Sequence, residues 1–314
     1  MAWVTWRQHR AHLFGGLGLL ALLAATAVGT HVPILTEYHA KPLADCLPPG
    51  GRSGCDLIVR HFEGEFGSWV SGIRGLMVLP ALFGLFVGAP LLARELELGT
   101  HRFAWTQGVP RSRWLVSKTA WIALATVLVA AAVSGLVMWW RGPFDTLQGR
   151  MSPSAFDLEG LVVPAYALFA LALGVLAGLV FRRTVPAMTA TLIAFAATRL
   201  IVLKFARPHF LAPLQQVVAG TDVQPAGNWV LSDTLVDAGG SVITTARENL
   251  AVVHAQQAGI DPQSYILGLG WKRIVSYQPA DRFWTFQAIE AGIFAALAVA
   301  VVLLTLWLVR RRPA

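Results

Sequence analysis

Six stretches of this chain are each long enough, wound as a helix, to match the thickness of a bilayer, and they are nearly free of charge. The first, residues 13–32, holds no Asp, Glu, Lys or Arg in 20 positions. Comparable runs cover 75–93, 119–140, 160–181, 184–203 and 285–309. About 20 apolar residues cross the hydrocarbon core as a helix, because lipid offers no partner to an unpaired backbone group. The runs predict an all-α polytopic membrane protein with six transmembrane helices. Composition agrees. Charged residues make up 13% of the 314, against roughly 25% in a soluble domain, and mean hydropathy is +0.58.

The basic residues sit at the ends of these runs. One side of the predicted membrane collects Arg7, Arg10, Arg94, Arg102, Arg111, Arg113, Lys118, Arg182, Arg183 and Arg310–Arg312, with only Glu95 and Glu97 as acids. The other side is mixed in sign. By the positive-inside rule both termini are expected in the cytoplasm, with 33–68 and 206–283 as external segments. The formal net charge of +8 is thereby placed at helix ends, which argues against nucleic acid as a partner. Residues 1–12, with Trp3 and Trp6 among Arg7 and Arg10, suit an interfacial helix in the headgroup layer. They serve equally as a basic flank to the first span, and membrane lipids are the expected partner in either case.

Other features bear on chemistry. Cys46 and Cys55 flank a turn-rich insert, Leu-Pro-Pro-Gly-Gly-Arg-Ser-Gly, and an external loop would permit a disulfide between them; two free thiols are the alternative. Arg199 and Glu290 fall inside spans five and six. Charges within a membrane helix are costly, so a mutual pair, a wet cavity or snorkelling to the nearby outer face is expected. The segment 206–283 carries one amphipathic helical pattern near Thr244–Gln257. No lysine follows a glycine and precedes Ser or Thr, so a phosphate loop for ATP is absent. His-Glu-x-x-His, Gly-x-Ser-x-Gly and cysteine–histidine metal spacings are absent too. The sequence predicts a non-catalytic chain with no cofactor or metal of its own.

The most charged connection is 94–118, between the second and third runs. Composition alone reads it as a topology signal. Its order, however, is specific: Arg94-Glu95-Leu96-Glu97-Leu98-Gly99-Thr100, then Trp105-Thr106-Gln107, then Arg111-Ser112-Arg113-Trp114 and Lys118. This resembles the cytoplasmic loop of actinobacterial ABC-2-type transporter permeases, where a Glu-x-x-x-Gly-Thr element after the second membrane helix contacts a separate ATPase subunit. Thr5-Trp6-Arg7-Gln8-His9-Arg10 resembles the N-terminal flank of the same family. Tyr277-Gln278-Pro279-Ala280-Asp281-Arg282-Phe283-Trp284 resembles its lead into the last span.

The resemblance implies an ABC-2-type exporter transmembrane fold in a bacterial plasma membrane. It implies a permease subunit paired with a second copy or a paralogue. ATP and Mg would be bound by the partner ATPase, coupled through Glu95, Glu97, Gly99, Thr100, Arg102, Trp105, Gln107, Arg111 and Arg113. An apolar or amphipathic cargo, such as a small molecule, lipid or peptide, is the family expectation. Outside the resemblance, the same sequence suits a membrane sensor whose external segment binds a ligand without transport.

Overall fold

The computed structural model describes residues 2–41, 43, 55–98, 111–219 and 227–311. It is mostly helical. Six helices among these residues are long and apolar enough to span a membrane: Leu20–Ala40, Leu57–Glu97, Leu115–Gln148, Val162–Phe181, Thr184–His209 and Ala280–Arg311. They are referred to below as spans one to six.

Several helices outrun the apolar stretches that predict them. The chain is helical without a break over Ala2–Ala40, where the sequence suggested an interfacial helix at 1–12, a span at 13–32 and then a loop. Within the predicted external loop 33–68, a helix begins again at Cys55 and runs to Ile73. The reason is an aromatic core that composition conceals. Phe62, Phe66 and Val70 recur every fourth residue, the spacing of one helical face. They are buried with Ile34, Trp140, Phe144 and Leu147. The Trp140 indole N–H donates to Thr30 Oγ1 at 2.8 Å, closing span one onto span three. Span three likewise continues past the predicted exit at Trp140 to Gln148, because Arg141 is neutralised where it stands, as described below.

Span two is jointed. A 3-10 turn, Arg74–Val78, leads into Leu79–Leu82; a π turn, Phe83–Gly88, leads into Ala89–Glu97. Pro80 and Pro90 each fall in the first turn of a segment, where a missing N–H breaks no helical bond. The prolines mark the joints, as the sequence suggests.

Span four is the hub, with the largest buried share of the six. Glycines let span two lie directly on its backbone. Gly84 and Gly88 meet the Ala170 and Leu171 carbonyls, and Gly178 meets Ala89 and Ala93. Without a hydrophobic drive between helices in lipid, small residues that permit this close approach become the adhesive. Span six runs along the same helix and buries Phe286, Phe294 and Ala298 against Val162, Tyr166, Ala167 and Phe169.

Between spans five and six the chain builds a small domain that the helical reading did not foresee. Strands β1 (Leu214–Ala219), β2 (Trp229–Val236) and β3 (Lys272–Gln278) form an antiparallel sheet in the order β1-β3-β2, with a bulge between Val230 and Ser232. The expected amphipathic helix is present as Thr245–Gln257, capped by Thr244. With a short helix Pro262–Gly268 it covers a core of Leu235, Ile243, Ala251, Ile266 and Trp271. Gln278 fastens the sheet to the bundle: its amide donates to the Leu211 carbonyl at 2.7 Å and accepts from Arg282 at 2.8 Å.

Candidate functional site

The bundle therefore has two ends, one carrying the sheet domain and one carrying the 94–118 connection. At the latter, span two closes with Glu95 and Glu97 in its last helical turn. Leu96 between them packs into a core of Leu91, Leu92, Leu115, Ile122, Leu179 and Val309, so this turn is seated on spans three, four and six. The Glu97 carboxylate accepts from Thr184 Oγ1 at 3.0 Å and from the Thr184 backbone N–H at 3.3 Å. Thr184 opens span five. A helix leaves its first N–H groups unpaired and carries partial positive charge there, so a carboxylate is well placed. The start of the charged connection is thus tied directly to the head of span five. Gly99, Thr100, Arg102, Trp105 and Gln107 lie outside the described residues. Arg111 and Arg113 belong to the first turn of the helix Arg111–Gln148.

At the sheet-bearing end the structure gathers five polar side chains that the sequence leaves scattered. Asp157 comes from the link before span four, Tyr166 from span four, Arg199 and Arg207 from span five, and Glu290 from span six. Arg207 is 1% exposed and Glu290 also 1%. The Arg207 guanidinium grips Glu290 with two bonds of 2.7 Å, Nε to Oε2 and Nη2 to Oε1, and also reaches Asp157. Tyr166 donates its hydroxyl to Glu290. Arg199 binds Asp157 Oδ2 at 2.7 Å and lies 3.8 Å above the Tyr166 ring. Two cations face two anions, which is what a low-dielectric interior requires of charge.

This corrects the pairing read from sequence. Arg199 and Glu290 do belong to one cluster, but each has another partner: Asp157 for Arg199, Arg207 for Glu290. The cause is a π turn, Val202–Ala206. In an uninterrupted α-helix residues eight apart are turned about 80° from each other. The wider π turn unwinds the helix between Arg199 and Arg207 and brings both onto the cluster. A polar boundary at residue 206 had put Arg207 outside the membrane.

A second cluster lies beside the first. Arg141 binds Glu159 at 2.8 Å and Asp145 at 3.2 Å, and Arg150 binds Glu159 at 2.8 Å. Glu159 is fully buried. The Arg150 guanidinium also covers the Phe283 ring at 4.1 Å. The link 149–161 is therefore an internal plug between spans three, four and six. The possible disulfide stands apart: Cys46 lies outside the described residues, and Cys55 opens a helix. If the bond exists, neither thiol should react with a maleimide until reductant is added; immediate labelling would remove it.

The sequence signals for the first cluster were present but weak. Arg207-Pro208 directly abuts an apolar run, and Asp157 sits between Phe156 and Leu158.

No curated protein and no solved structure matches the chain. A family description does: ABC-2 membrane transporter related, over residues 17–207. That match takes in the first four spans, span five as far as Arg207, both joints of span two and the charged connection, so it covers most of the geometry described above. With six apolar spans and a match over more than half its length, the chain is a multi-pass membrane protein that belongs to the ABC-2 membrane transporter related family.

Proposed function

We propose that this permease is driven by a separate ATPase subunit, which docks on the 94–118 connection at the cytoplasmic face. The observation that carries this reading is the Glu97–Thr184 contact. A connection that served only to set topology has no need to be fastened to another span. Here its first turn is seated on spans three, four and six and hydrogen-bonded to the head of span five. Motion imposed on the connection is therefore delivered to span five, and through Arg199 and Arg207 to the cluster at the far end.

In this mechanism the chain binds no ATP. Two ATPase subunits hydrolyse it, and two permease chains, identical or paralogous, form the pathway between them. ATP-driven closure of the ATPases shifts spans two and three at their cytoplasmic ends and moves the dimer from inward- to outward-facing. Both termini are cytoplasmic and the sheet domain is external, following the basic residues. Export of an apolar or amphipathic molecule is the direction and cargo class we favour.

Purification in mild detergent tests the docking. The wild-type chain should retain an ATP-binding subunit, and a Glu95→Ala, Arg111→Ala, Arg113→Ala variant should lose it while still inserting. Charged side chains at such an interface set orientation, and truncating a desolvated pair costs about 2–5 kcal/mol. Equal retention by the variant would defeat the assignment of these residues.

A further inference from the structure

We propose that the ends of spans four and six form a binding site for an anionic phospholipid headgroup, built by Arg182, Arg183, Arg310 and Arg311. This does not depend on the ATPase reading.

Span four ends at Phe181 and span six at Arg311. The two helices run in the same direction, and Leu179 packs in one core with Val309. The four arginines therefore emerge within about one helical turn of a shared contact, level with the end of the apolar spans. All four are exposed, and among the described residues no carboxylate is paired with any of them. Glu97 is engaged by Thr184, the residue that follows Arg183.

Three further features separate this patch from a plain topology signal. All four residues are Arg, whose planar fork suits a phosphate with two parallel bonds where Lys offers a point charge. Arg182 sits at φ 55°, the one non-glycine residue with positive φ among those described. The cap of span four is thus held by Arg where Gly is the usual choice. Finally, the Arg311 guanidinium lies 4.3 Å over the ring of Trp307, which is 47% exposed. The turns beneath the arginines expose Val180, Phe181, Leu303 and Leu304. Phosphate-binding cations above and bare apolar surface below match a lipid, which offers a phosphate above acyl chains. Four guanidiniums on two helices favour a headgroup with two phosphates, as in cardiolipin, over one with a single phosphate.

The test uses the full chain in nanodiscs of phosphatidylcholine alone or doped with cardiolipin or phosphatidylglycerol, with bound lipid read by native mass spectrometry. Cardiolipin should be retained over phosphatidylcholine, and inorganic phosphate should not displace it. Arg310→Gln with Arg311→Gln should weaken retention about thirtyfold. Changing all four arginines to Lys preserves the charge that sets topology yet should still reduce cardiolipin retention. Arg247→Gln in the sheet domain should leave retention unchanged. Equal retention of phosphatidylcholine, displacement by inorganic phosphate, or unchanged retention in both the Gln and Lys variants would each overturn the proposal. So would a Gln variant that keeps cardiolipin but loses a co-purifying ATPase subunit, which would assign the patch to that protein instead.

Discussion

Arg207→Met should destabilise the folded bundle by about 3–5 kcal/mol, the usual cost of stripping one partner from a buried ion pair. The substitution keeps much of the side-chain volume and removes every donor. Glu290 then loses both 2.7 Å bonds and remains as a buried carboxylate held only by the Tyr166 hydroxyl. The companion variant decides whether charge is the cause. Arg207→Met with Glu290→Leu removes one cation and one anion together. It leaves Arg199 with Asp157 and Tyr166 with a remaining acceptor in Asp157. A neutral apolar replacement of a buried pair is often harmless, so the double variant should be markedly more stable than the single. Equilibrium unfolding of the reconstituted protein measures both. If the two unfold alike, packing rather than charge holds this corner, and the electrostatic account fails.

Gly174→Leu should be at least as damaging, for a purely steric reason. A Cβ at Gly174 would stand 2.4 Å from the Gly84 carbonyl oxygen and 2.7 Å from the Ala89 nitrogen. Both obstacles are backbone, so no side chain can rotate away. Spans two and four must separate. Overpacking a side chain costs about 1–3 kcal/mol, and here a main-chain interface opens along its whole length, so loss of the folded protein from detergent extracts is expected. Gly135→Ala on span three is the control: nothing lies within 4 Å of that Cβ. Replacing Gly by Ala in a helix gains up to about 1 kcal/mol. A stable, monodisperse Gly174→Leu protein would show that the glycine contact is dispensable.

The spans were legible because lipid imposes a length and a composition on any helix that crosses it. The helix Thr245–Gln257 was legible from its period and its Thr244 cap. The Phe62-Phe66-Val70 repeat could have been read too, but prolines and glycines around it drew attention to loop. Charge was the harder signal. Hydropathy places a polar residue in water unless a partner is known. Partners here come from far along the chain, Asp157 for Arg207 and Glu159 for Arg141, so each looked like a loop residue taken alone. The close approach of spans two and four was written in Gly84–Gly88 and Gly174–Gly178, two small-residue repeats that say nothing about which helix each will meet. The sheet was hidden for a related reason. β1 pairs with β3 across more than fifty residues, and Leu-Gln-Gln-Val-Val-Ala has no clean alternation to announce it. Of the residues that the resemblance implies for ATPase coupling, the structure describes the side chains of Glu95 and Glu97, and the geometry ties Glu97 to Thr184.

The two charge clusters share the short segment before span four: Asp157 serves one and Glu159, two residues on, serves the other. Spans three to six are thereby welded at the sheet-bearing end into a single lid, since withdrawing any one of them would strand an ion in hydrocarbon. Such a lid cannot part along a line inside the chain. In the two-chain transporter we propose, whatever passes at that end must slip by along its outer rim, at the seam between the chains, and the selectivity of passage would then be set by side chains on the rim of the lid and not by those sealed within it.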